Sequence, residues 1–214
     1  TAARSRTWSH TFSAASPMGW YSNLKQRCKT CSRVTLGAGV LFLTLAIAFV
    51  MLTAGAYGLA WTNTEEFCIG CHEMRENVYA EFKGTIHDKN RSGVRAICAN
   101  CHVPHEPVAL IMRKIGATFE VWGHLTGKID TKEKFAKHRY EMAVREWTRM
   151  KKNDSQECRN CHSFDGMDAE KQSETARARH AKAQKEGTSC IDCHFGIAHT
   201  EPDGPGPQEL KIAK

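Results

Sequence analysis

The chain has 214 residues and a formal net charge of +7, room for one ordinary domain or for a small domain with a membrane anchor. The excess charge sits at one end. Arg4, Arg6, Lys25, Arg27, Lys29 and Arg33 all precede the first acidic residue, Glu65, and the remaining basic residues nearly balance the 23 acidic ones. A nucleic-acid binder would cluster its basic residues on the folded domain, so that class is excluded.

Residues 1–33 read as a basic arm, and the next 31 residues carry no charge, centred on VLFLTLAIAFVMLTAGAYGLAW. About 20 apolar residues cross a bilayer, so residues 34–61 are expected to form a single transmembrane helix with some tilt. A cleaved signal peptide would have a shorter apolar core, whereas this run continues past Ala54, Gly55, Ala56 and Gly58 to Trp61. An uncleaved anchor is therefore expected in a bacterial cytoplasmic membrane. The basic arm stays in the cytoplasm and everything after residue 64 faces the periplasm, with Tyr57 and Trp61 at the outer interface.

Eight of the ten cysteines fall in four copies of CxxCH: Cys68, Cys71 and His72; Cys98, Cys101 and His102; Cys158, Cys161 and His162; Cys190, Cys193 and His194. This is the attachment pattern for c-type haem, two thiols bonding the porphyrin edge and the adjacent imidazole reaching the iron. Zinc requires no His at a fixed next position, so four coincidences argue for four covalent haems rather than zinc sites, redox dithiols or disulfides. The haems are also expected to fill a core that so polar a sequence cannot build alone. Cys28 and Cys31, in CKTCS, have Ser32 where the pattern needs His. On the cytoplasmic side they are expected to remain thiols with no part in electron flow.

Six histidines lie outside the motifs after the apolar run, and spacing sorts them. In the first half, 14 residues separate His72 from His87, 10 separate His87 from Cys98, and 2 separate His102 from His105. In the second half the intervals are 17 residues to His180, 9 to Cys190, and 4 from His194 to His199. The halves look like a duplicated dihaem module, and His87, His105, His180 and His199 are the expected distal axial ligands beside His72, His102, His162 and His194. His105 and His199 lie too close to their own motifs to reach around, so they are expected to serve neighbouring haems. His124 and His138 fall outside the repeat and are expected to be ordinary surface or core residues.

The fold class is therefore mainly α: one transmembrane helix, then a periplasmic domain, residues 62–200, of short helices and loops packed around four haems. Its dihaem modules span about 65–106 and 155–200. Between them, 107–152 reads as two helices, one opened by Pro107 and one over KEKFAKHRYEMAVREWTRMKK with Tyr140, Ala143, Trp147 and Met150 on one stripe. That stripe is expected to pack against haem edges. A third helix, over 168–186, carries His180 and stops at Gly187. Residues 201–214, rich in Pro and Gly, are expected to be an irregular tail, and no strand pattern appears.

With one apolar segment ahead of NTEEFCIGCHEM, NRSGVRAICANCHVPHEP, NDSQECRNCH and CIDCHFGIAH, residues 61–202 resemble the NapC/NirT family of membrane-bound tetrahaem cytochromes c. The likeness is closer to the NapC branch, linked to nitrate reductase, than to the NrfH branch that serves pentahaem nitrite reductase. It implies a quinol dehydrogenase that passes electrons from the membrane quinol pool to a periplasmic reductase, nitrate reductase first and nitrite reductase next. It also implies a Lys and an acidic residue near the first haem, and the best-matching positions are Lys114 and Glu120. Six residues on an ideal helix leave these about 120° apart. In the NrfH branch the Met two residues after the motif His ligates the first haem, and Met74 has that spacing; His72 is the favoured ligand here, with Met74 the alternative. Two other classes stay open: a catalytic multihaem reductase with one free iron site, and a passive haem wire docked between two proteins.

Overall fold

The computed structural model describes residues 17–210 and 212, with residues 17–25, 27, 30 and 31 as backbone only. The side chains of Arg4, Arg6, Lys25, Arg27 and Cys31 lie outside the described residues. The chain divides into two units, residues 1–57 and 58–214.

Helix α1, Pro17–Trp61, begins well before the expected residue 34. Pro17 suits a first helical position, where its missing N–H costs nothing, and no proline or glycine falls between Gly19 and Gly37. Within α1, residues Ser32–Trp61 are long and apolar enough to cross a membrane. At 1.5 Å per residue this is about 45 Å, more than the hydrocarbon core requires. Its large side chains, Val34 through Leu52, are exposed on every side, so the helix is not packed in a protein core.

The second unit is built from α2 (Glu65–Cys68), α3 (His72–Glu76), α4 (Val78–Phe82), α5 (Cys98–His102), α6 (Pro107–Leu125), α7 (Lys132–Lys152), α8 (Gln156–Arg159) and α9 (Glu174–Glu186), with 3-10 turns at Ala169–Lys171, Cys190–Asp192 and Pro207–Glu209. No strand occurs among the described residues. The ends follow local chemistry. Thr64, Thr131 and Ser173 accept hydrogen bonds from Phe67 N, Lys134 N and Ala176 N, capping α2, α7 and α9. Gly187 at φ +64 closes α9 in the left-handed conformation that glycine adopts without strain. The third expected helix thus starts at Glu174, and the residues before it form a separate 3-10 turn capped by Asp168.

The core is small. Among the described residues only Phe82, Ala99, Phe135, Trp147, Met150, Ile191 and Pro207 are buried apolar side chains. Trp147, Met150 and Ile191 form its centre, flanked by Tyr140, Ala143, Val144, Phe195 and Leu210. The stripe expected on α7 is thus real, and it packs against the end of the chain. The tail is docked rather than loose: Tyr140 Oη donates to Pro205 O at 3.1 Å, and Lys151 Nζ donates to Pro207 O at 2.7 Å and Leu210 O at 3.1 Å.

Candidate haem-binding site

Each motif sits on a short helix or turn, and these elements pack in chain order. Helix α5, which is the second motif, lies against α2 and α8, carriers of the first cysteines of motifs one and three. The Cys68 thiol meets the Cys98 thiol, and Cys158 meets Cys190. Cys161 lies near enough to Cys101 to reinforce, after burial, the upward push on its pKa. Motif one therefore adjoins two, two adjoins three, and three adjoins four.

Two residues that sequence reading missed hold this row together. Arg149, on α7, donates to Cys101 O at 3.0 Å, to Glu146 at 2.6 Å, and to Glu157 of α8 in a short contact. Glu157 is 4% exposed and also accepts from Asn153 Nδ2, so the second and third motifs share one buried charged hub. Ser155, fully buried at φ +54, accepts from Ile191 N at 3.1 Å and so ties the third motif to the fourth. A non-glycine residue in the left-handed region is strained, and the contacts around Ser155 hold it there. An arginine or serine in a polar sequence has no pattern that marks it as such a hub.

Among the described residues eight imidazoles form four facing pairs. Ring centres are 6.2 Å apart for His87 and His162, 6.1 Å for His102 and His199, 6.0 Å for His180 and His194, and 6.3 Å for His72 and His124. Two imidazoles on opposite faces of one iron, each bonded at roughly 2 Å, have ring centres a little over 6 Å apart. The donor set thus fits iron held between paired imidazoles, and the eight motif cysteines are free to bond the porphyrin edge. Several rings are fixed through Nδ1, which leaves Nε2 free. His102 Nδ1 meets Glu146 Oε1 at 3.0 Å, His180 Nδ1 meets Gln172 Oε1 at 2.8 Å, and His199 Nδ1 meets Val78 O at 3.1 Å. Burial, with the neighbouring His102, pulls the His199 pKa down to about 4, which keeps that ring neutral. Burial acts in the same direction on His87.

The first pair differs. Glu73 Oε1 lies 2.5 Å from His124 Nδ1 and 3.6 Å from His72 Nε2, so one carboxylate serves both rings. Glu73 is 2% exposed, and its Oε2 has no hydrogen-bond partner among the described residues. Burial opposes its charge, yet the His124 hydrogen bond holds its pKa below the ordinary carboxylate value.

Of the residues expected from sequence, His87, His180 and His199 each face a motif histidine. His105 faces none among the described residues; it is exposed, with Nδ1 3.4 Å from Asn160 Nδ2, on a cleft of about 220 Å³ that Asn63, Ile97 and Leu110 also line. His124, outside the repeat, takes the place beside His72, brought there by the last turn of α6. His138 meets Glu141 at 3.3 Å on α7. Met74 is half-exposed on α3. Lys114 Nζ donates to Thr62 O at 3.0 Å, and burial lowers its pKa. Glu120 pairs with Arg113 at 3.1 Å on the surface, so Lys114 and Glu120 have separate partners. Cys28 is exposed and free.

Comparison with known proteins places these features. Residues 26–204 match the model described as "NapC/NirT cytochrome c family, N-terminal region". The chain is 50% identical over 175 residues to cytochrome c-type protein NapC of Escherichia coli strain K12, covering 82% of this chain and 87% of that one. It is 47% identical over 173 residues to the denitrification system component NirT of Stutzerimonas stutzeri, 81% and 86% covered. To cytochrome c-type protein TorY of Escherichia coli O157:H7 it is 43% identical over 171 residues, 77% of this chain but 46% of that longer protein. No solved structure matches the chain. The chain is a haem-bearing electron-transfer protein and belongs to the NapC/NirT cytochrome c family.

Proposed function

We propose that the protein is a membrane-anchored tetrahaem quinol dehydrogenase that delivers electrons to a periplasmic reductase, with nitrate reductase the favoured partner. The observation that carries this reading is the unbroken row of motifs, each adjoining the next through Cys68 and Cys98, Cys101 and Cys161, Cys158 and Cys190. Electron transfer needs closely spaced carriers, and a row starting a few residues beyond the apolar span begins where a membrane-dissolved quinol arrives. The haems, when bound, supply one-electron acceptance and transfer.

The chain's own residues do the rest. The thioether cysteines fix each group, and the pairs His87–His162, His102–His199 and His180–His194 are the proposed axial ligands, with Nδ1 hydrogen bonds setting ring orientation. These pairs cross the duplicated module: His87, from the first half, serves the third motif, and His199, from the end, serves the second. The halves match in spacing while their ligands interlock, which ties the domain into one piece. His72 and His124 are proposed for the first haem. The position of Glu73 Oε1 beside His72 Nε2 favours a second reading, in which that ring is held by the carboxylate and Met74 is the ligand.

Quinol oxidation releases two protons as well as two electrons. Lys114, beside Cys68 and held by Thr62 O, is the proposed proton-handling group. The likeness to NapC favours nitrate reductase as the acceptor, and the likenesses to NirT and TorY favour another periplasmic reductase as the second reading. Purified full-length protein in liposomes should oxidise quinol when a soluble periplasmic nitrate reductase and nitrate are supplied. Absence of quinol oxidation with intact haems would leave only the passive wire, and nitrite reductase supported in place of nitrate reductase would change the partner.

A further inference from the structure

Helix α6 has two opposite faces with different lives. One face carries its bonds to the domain: Arg113 Nε donates to His102 O at 3.2 Å, Lys114 Nζ to Thr62 O at 3.0 Å, and His124 meets Glu73. At 100° per residue, Val108, Ile111, Met112, Ile115, Phe119 and Trp122 gather on the other, roughly opposite the bonded one. All six are exposed, Val108 at 78%, Phe119 at 74% and Trp122 at 64%. No charged residue interrupts the stripe.

We propose that this stripe is a second membrane contact, with α6 lying along the lipid interface of the bilayer that α1 spans. It rests on the reading of Ser32–Trp61 as a membrane anchor. The level of α6 is what selects lipid as the occupant. Lys114 is bonded to Thr62, the residue that immediately follows the apolar span, so the middle of α6 is held where the chain leaves the bilayer. There Trp61 packs edge-on against Phe67 at 4.9 Å, both partly exposed, a pairing suited to the headgroup region. Phe119 and Trp122 add two exposed aromatic rings on α6, and an apolar stripe opposite the face that carries Arg113, Lys114 and His124 has the form of an interfacial helix. A second protein is a poorer occupant, because six side chains of one helix fall well short of the roughly 20 residues per side in a stable interface. Fixing α6 to the interface would hold Lys114 and the first motif at the depth where quinol headgroups lie.

The test uses full-length holoprotein in nanodiscs of phosphatidylcholine and phosphatidylglycerol, with photoreactive p-benzoylphenylalanine in place of Phe119, Trp122, Phe42 in α1, or Lys182 in α9. After irradiation, mass spectrometry reads the adducts. The expected result is lipid adducts at 42, 119 and 122 and none at 182. Lipid at 42 with only protein adducts, or none, at 119 and 122 would overturn the second contact while leaving the anchor. Lack of lipid adducts at 42 would overturn the anchor and this inference with it.

Discussion

His102 and His199 stand with their ring centres 6.1 Å apart although 97 positions separate them in the chain, and each has its Nδ1 engaged, by Glu146 and by Val78 O. The end of the second half is thereby brought against the second motif. His199→Met should convert one haem to His/Met ligation and raise its midpoint potential by on the order of 0.1 V, read by redox titration with near-infrared magnetic circular dichroism. His105→Gln should leave all four haem signatures unchanged. A lost low-spin signal in His105→Gln would return that residue to the ligand set.

Arg149 neutralises two carboxylates, one of them the almost fully buried Glu157. Removing the cation strands charge in the interior, which costs far more than a surface pair. Arg149→Ala should destabilise the holoprotein by about 3 kcal/mol, measured by thermal or denaturant unfolding, with spectral changes confined to the haems of the second and third motifs.

Glu81 binds Arg139 and accepts from Thr200 N at 2.9 Å, fastening the segment after His199 to α4. Burial raises its pKa, but the Arg139 and Thr200 hydrogen bonds more than offset that and hold it below 4.5. A carboxyl with a depressed folded-state pKa stabilises fully above its unfolded pKa and loses that contribution as pH falls through the folded value. Melting temperature should therefore decline below about pH 4.5, and Glu81→Gln should melt lower at pH 7 and show a flatter decline.

Lys114 and Glu120 were paired only by likeness to relatives, and their partners in the structure separate them. Lys114→Met should slow quinol oxidation in liposomes by roughly tenfold or more, while Glu120→Gln should stay within about twofold. A large effect of Glu120→Gln alone would move the proton-handling role to the Arg113–Glu120 pair.

The seven buried apolar side chains among the described residues are too few for the second unit to hold itself together. Chain produced without haem attachment should be protease-sensitive and lack a cooperative melting transition by circular dichroism. A compact, protease-resistant apo form would show that the polypeptide builds its own core.

Some of this was legible in the linear chain because it depends on neighbours in sequence. CxxCH is a local covalent pattern, an apolar run long enough for a bilayer needs no partner, α6 begins at Pro107 as expected, and α7 covers the expected Lys132–Lys152. What the linear chain could not settle was which side chains meet. Spacing treated His105 and His199 as equivalents, but the fold sends His199 to His102 and leaves His105 at a surface cleft. It set His124 aside as off the repeat, yet the length of α6 carries that ring to His72 and Glu73. Imidazole pairing across about 6 Å is decided by helix length and docking, and a hub such as Arg149 exists only once three separate segments converge on one guanidinium. Sequence alone determined what kind of cofactor the chain holds and how many attachment motifs it has; the tertiary structure decided which histidines face one another, because that depends on packing between segments far apart in the chain.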